Sequence, residues 1–110
     1  MTPTVTVLTL LAAAALEAGG DALMRVALHW PPGIARGAIF AIAAVVLTAY
    51  GYTVNAPPWD FGKLLGLYVV FFFVIAQLIS WLAFHQPPSG AVFAGGVLIV
   101  AGGVIIASAS

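Results

Sequence analysis

The stretch that decides the fold is Val5–Leu28, VTVLTLLAAAALEAGGDALMRVAL. It is overwhelmingly apolar, holds no proline, and stops at His29-Trp30-Pro31-Pro32-Gly33. About 20 such residues are enough for a helix to cross the hydrocarbon core of a bilayer. The apolar residues are continuous, which argues against an amphipathic strand. A lipid-exposed sheet edge would also leave backbone groups unsatisfied. Working outward, the pattern recurs three times. Ile34–Val54 ends at Asn55-Ala56-Pro57-Pro58-Trp59-Asp60, Phe61–Phe84 ends at His85-Gln86-Pro87-Pro88, and Gly90–Ala109 closes the chain. The sequence predicts an all-α membrane protein of one domain, with helices over 4–28, 33–54, 61–84 and 89–109.

Composition points the same way. Of 110 residues, 64% are hydrophobic and 5% charged, with three basic residues against three acidic ones. A soluble domain carries roughly 25% charged residues, and a chain this short has too much surface to hide so many apolar groups. Three basic residues make no patch for nucleic acid. The absence of cysteine removes disulfides, thiol chemistry and cysteine-ligated metal. Proline pairs break the helices by removing a donor and clashing with the preceding turn. Pro32 suits the first turn of the second helix, and Asp60 and Ser89 suit N-caps of the third and fourth. Loops of a few residues imply that successive helices are antiparallel neighbours, with both termini on one side. A mid-span acid and the lack of a basic leader argue against a signal peptide. Trp30 and Trp81 at one interface, and Tyr50, Tyr52 and Trp59 at the other, suit an aromatic belt. Arg25 and Arg36 lie toward one side and Lys63 toward the other, a bias too small to fix orientation and compatible with insertion both ways.

The informative charges are Glu17, Asp21 and Arg25. Spaced i, i+4, i+8, they share one helix face. Glu17 falls near mid-span, with Asp21 about 6 Å and Arg25 about 12 Å nearer one interface. Arg25 can snorkel toward headgroups and can pair with Asp21, whereas Glu17 has no basic residue at its depth in any span. A carboxylate there is costly, and such residues usually mark a pathway or site. Desolvation and the Asp21 carboxylate both penalise its charge, so the group is suited to trading a proton for a cation. Gly19 and Gly20 let a backbone or ligand approach at that depth. In the fourth helix Gly95-Gly96 and Gly102-Gly103 lie two turns apart on one stripe, which suits close helix contact in lipid. A seam between subunits is the reading taken from it. In the third helix Gln77, Ser80 and Trp81 share a face, with Tyr68 nearly opposite Gln77. His29 and His85 fall in loops without metal-ligand spacing.

Four short spans with one mid-membrane glutamate resemble the small multidrug resistance family of the drug/metabolite transporter superfamily. The resemblance is carried by LEAGGDALMR over 16–25, SWLAFHQ over 80–86 and GGVLIVAGGVII over 95–106, within a likeness running over essentially the whole chain. It implies an antiparallel homodimer, often of dual topology. Two copies of Glu17 would bind protons or a cationic substrate in turn, and Gly95 and Gly102 would lie on the dimer seam. The family's third-helix tryptophan falls on Tyr68, its second-helix tyrosine on Ile42, and its third-helix glycine pair on Val70 and Phe72. Asp21 replaces a small polar residue, which marks a divergent relative.

The resulting expectation is a transporter of the inner cell membrane, working as a homodimer in the bilayer. It would exchange protons for a small cationic or polar metabolite through Glu17, Asp21, Tyr68 and Gly20, with Arg25 as a gating or ion-paired residue and Gly95, Gly96, Gly102 and Gly103 at the subunit interface. No cofactor, metal or nucleic acid is expected, and no enzyme activity, because no nucleophile–base pair falls at membrane depth. Two alternatives stay open: a transporter of a lipid-linked or neutral metabolite, whose polar head Asp21 and Arg25 would recognise, and a non-transporting membrane assembly subunit.

Overall fold

A computed structural model describes residues 1–109. Four helices carry the fold: α1 (Pro3–Leu28), α2 (Ile34–Val54), α3 (Phe61–Phe84) and α4 (Gly90–Ala107). All four are long and apolar enough to cross a membrane. Their ends follow local chemistry. The Thr2 hydroxyl accepts the Val5 N–H at 3.2 Å, and Pro3 fills the first turn of α1, where its missing N–H costs nothing. Ser89 caps α4 in the same way, accepting from the Val92 N–H at 3.2 Å. Three terminal expectations change. Asp60 stays exposed and makes no side-chain cap bond. Pro32 falls outside α2, because the chain turns at Gly33 with φ 147°, a conformation open to glycine. And α4 closes at Ala107, with the Ser108 N–H donating to the Val104 carbonyl and the Ala109 N–H to the Ile106 carbonyl, both at 3.1 Å.

α1 lies between α2 and α3, and α4 packs against α3. Consecutive helices are therefore not all close neighbours. α2 and α3 are joined by a short loop, yet they meet chiefly through the aromatic pair Tyr50–Tyr68 and the buried Val54 and Leu64. Within lipid, helices gain little from hiding apolar surface, so close packing of small residues against large ones holds them together. Four glycines do this. A methyl group built on Gly20 would lie 2.6 Å from Leu47 of α2, one on Gly66 2.8 Å from Ile106, and one on Gly96 2.5 Å from Phe73, while Gly103 receives Val70 in direct contact. The last three lock α4 onto α3. The hydroxyls of Thr9, Thr48 and Thr53 donate to carbonyls four residues earlier, at 2.7–2.9 Å, and so travel through the span with their donors satisfied.

The packing is uneven along the helices. The buried cluster of Leu10, Ala13, Ala14, Val54, Leu64 and Tyr68 fills the half nearer the chain termini. Toward loops 1 and 3, α1 and α2 remain in contact, with Ala27 and Ala43 buried, but α1 and α3 part around a cleft. Glu17 sits at the boundary between the two halves.

Candidate functional site

α1 and α3 run in the same direction, which brings Glu17 level with Tyr68. The Tyr68 hydroxyl donates to Glu17 Oε1 at 2.9 Å. Tyr68 is held there because only 4% of it is exposed. Its ring packs against Phe72, with centroids 6.3 Å apart, and against Tyr50 of α2 at 5.7 Å. The Tyr50 phenol lies close enough to Glu17 for direct electrostatic interaction. One half-buried carboxylate is thus framed by two tyrosines from two different helices. The hydrogen bond is charge-assisted when Glu17 is ionised. When a proton neutralises it, the same carboxyl still accepts from Tyr68 and buries no charge.

A cleft begins just beyond this point, at Ala18 and Phe72, and opens toward loops 1 and 3; Glu17 and Tyr68 lie behind its inner end and do not line it. Its volume is about 190 Å³, and Asp21, Arg25, Phe72, Ser80 and Phe84 are among the residues lining it. Asp21 is exposed in it. The Arg25 guanidinium lies 5.6 Å from the Phe84 ring centroid, an arrangement that holds a cation by its quadrupole. The expected pairing of Arg25 with Asp21 thus gives way to an aromatic partner on α3. The mouth is built by the end of α3. His85 adopts a left-handed conformation, φ 55°, which lets the Gln86 N–H reach the Ser80 carbonyl at 2.9 Å, while the Ser80 hydroxyl donates to the Gln86 carbonyl at 2.9 Å. That exchange fixes the position of the loop 3 wall.

The structure brings Glu17, Asp21, Arg25 and Tyr68 together, and it moves several other expected site residues. Gly20 faces Leu47 and Val46, so it serves the α1–α2 contact and does not reach the cleft. Gly96 and Gly103 are occupied by Phe73 and Val70 of the same chain; they are packing residues of the fold, because the stripe they share points at α3. Gly95 and Gly102 meet nothing within 4 Å and stay available for a seam. Ser80 parts from Gln77 and Trp81. Those two line an apolar groove of about 620 Å³ between α3 and α4, whereas Ser80 turns to the α1 side through its bond to Gln86. Tyr50, which the sequence groups with Tyr52 and Trp59 in an aromatic belt, lies instead beside Tyr68 and Glu17. Tyr52 is 85% exposed, which suits the belt. Nothing in α2 alone separates the two tyrosines; the signal lies in the packing register set by Gly20 against Leu47, which carries Tyr50 to the level of Glu17.

No family model matches the chain, and no curated protein or solved structure matches it either. What stands are this chain's own residues: four helices of membrane-spanning length and composition, and a carboxylate between two tyrosines, one turn behind the inner end of a charged cleft.

Proposed function

We propose that the protein is a multi-pass transporter of the inner cell membrane, similar to the small multidrug resistance family, that exchanges protons for a small cationic or polar metabolite at Glu17. The observation that carries this reading is the Glu17–Tyr68 hydrogen bond at 2.9 Å, placed at the boundary between a packed half and an open half. An ionisable group near mid-span is expensive unless it serves a pathway, and this one has both a donor to steady its charge and a cleft that begins beside it at Ala18 and Phe72.

Exchange follows from competition. A proton and a cation both neutralise the same carboxylate, so loading one displaces the other. Transport then needs the packed and open halves to trade places, so that Glu17 faces each side in turn. The pivot for such a change is α1 against α3, because these helices already part at one end and touch at the other. The working unit in this reading is a homodimer of copies inserted in opposite directions, with Gly95 and Gly102 at the seam. These glycines face outward, next to Leu98 and Ile105, which are 75% and 69% exposed. A bilayer or a second copy covers that face.

The test is flux. Proteoliposomes carrying the protein, acidic inside, should accumulate a radiolabelled quaternary ammonium ion such as tetramethylammonium, which has no neutral form to cross the bilayer unaided, and stop doing so when the pH gradient is collapsed. Uptake that ignores the gradient would rule out proton exchange and favour a uniporter, and no uptake at all would favour the assembly-subunit alternative.

A further inference from the structure

We infer that the cleft between α1 and α3 is a binding site for a small zwitterion, with Asp21 receiving its ammonium group and Arg25 its carboxylate or phosphate. The inference deepens the exchange reading by naming the substrate class, and it rests on that reading only for transport, since the binding itself needs no proton movement.

Four observations carry it. Asp21 and Arg25 line one cleft, one helical turn apart, so their attachment points are separated by about 6 Å. That interval suits a molecule whose opposite charges are two to four bonds apart. The volume of about 190 Å³ is that of about six waters at ~30 Å³ each, the size of an amino acid or a phosphoethanolamine group. Arg25 is drawn toward the Phe84 ring, and Arg offers a fork of donors that carboxylate and phosphate can meet in two places at once. Finally, the order of charges is directional. A ligand arriving from the loop 1 and loop 3 side meets Arg25 first and then Asp21, with Glu17 one turn deeper on α1, behind the inner end of the cleft.

That order makes a bare cation the weaker ligand. Its charge would be repelled by Arg25 at the mouth before it was attracted by Asp21. A zwitterion entering amine first meets attraction at both points, and its ammonium ends nearest Glu17. Two charged side chains within a span are costly, and a ligand carrying both opposite charges neutralises them together. The same chemistry is offered by a free zwitterion and by the headgroup of phosphatidylethanolamine.

Titration calorimetry on the purified protein in detergent tests this with three probes: ethanolamine, methyl phosphate and O-phosphoethanolamine. The expected result is that O-phosphoethanolamine binds about tenfold or more tighter than either half alone, a gap of about 1.4 kcal/mol. Arg25→Ala should erase the advantage over ethanolamine, and Arg25→Lys should restore part of it. Asp21→Asn should erase the advantage over methyl phosphate. Thermal melting of each variant reports whether it folds, and either substitution suffices if the other does not. Equal binding of ethanolamine and O-phosphoethanolamine, or a preference that survives both substitutions, overturns the site. So does the absence of binding by all three probes, which would leave Asp21 and Arg25 as charges that only ease insertion. Repeating the titration in nanodiscs identifies the source. Binding of O-phosphoethanolamine lost in phosphatidylethanolamine discs and kept in phosphatidylglycerol discs assigns the headgroup; binding kept in both assigns the free zwitterion. Proton release without zwitterion preference would sink this site and leave exchange standing, and zwitterion binding without proton release would do the reverse.

Discussion

The two sides of α3 solve opposite problems with the same helix. Toward α4 it presents Val70 and Phe73, which seat against Gly103 and Gly96, and an apolar groove whose polar side chain is Gln77. Toward α1 it presents Tyr68, Phe72, Ser80 and Phe84, which meet Glu17 or line the charged cleft. The first side gains stability from steric fit. The second gives up fit to keep polar groups in reach of one another. The difference teaches that small residues and ionisable ones play separate parts here. Glycine contacts hold the scaffold, and the carboxylate is placed where the scaffold comes apart.

The comparison is easiest to break at the scaffold. Gly103→Leu should force Val70 away and destabilise the protein by about 3 kcal/mol, the upper part of the usual overpacking range. Gly102→Leu, one residue earlier, should leave the fold intact because that position is open. Melting followed by circular dichroism in detergent distinguishes them, and equal losses would show that α4 does not pack on α3 by this face. Under the dimer reading, Gly102→Leu should instead shift the protein toward monomer in sedimentation, and an unchanged dimer would place the seam elsewhere.

A smaller effect is expected at the polar side. Tyr68→Phe keeps the ring and deletes the bond to Glu17, so stability should fall by only about 0.6–1.7 kcal/mol, the range measured for side-chain hydrogen bonds between membrane helices. Exchange should suffer more than stability does, seen as weaker competition between amine and proton. If Tyr68→Phe exchanges like the wild type, the bond at 2.9 Å is packing alone. The smallest effect belongs to Gln77→Leu. The residue lines the groove on the far side of α3, so amine-driven proton release should stay within about twofold of wild type. A loss comparable to that of Tyr68→Phe would mean that the two sides of α3 are not separate.

Most of the fold was legible in the chain because it rests on signals a lipid environment makes strong. Continuous apolar runs, proline pairs and serine or threonine caps locate the four helices without reference to one another. The site was legible as far as it lay on one helix: Glu17, Asp21 and Arg25 share a face by spacing alone. What the sequence could not supply was register between helices. Gly95 and Gly96 are equivalent on paper, yet only Gly96 meets Phe73, because a rotation of one residue decides which glycine faces α3. Tyr50 and Tyr52 differ in the same way. One packs on Tyr68 and the other is left at the surface. Arg25 illustrates a further limit, since its nearest basic-to-acidic spacing within α1 suggested Asp21, while α3 supplied Phe84.

The central claim is that Glu17 is the group on which proton and substrate compete. Its most direct test is proton release. Wild-type protein in weakly buffered detergent solution receives ethanolamine or O-phosphoethanolamine, and the pH is followed; Glu17→Gln, which keeps the shape and removes the titratable proton, is treated identically. The expected result is release of about one proton per bound ligand in the wild type and none in Glu17→Gln. Equal release from both proteins would contradict the account.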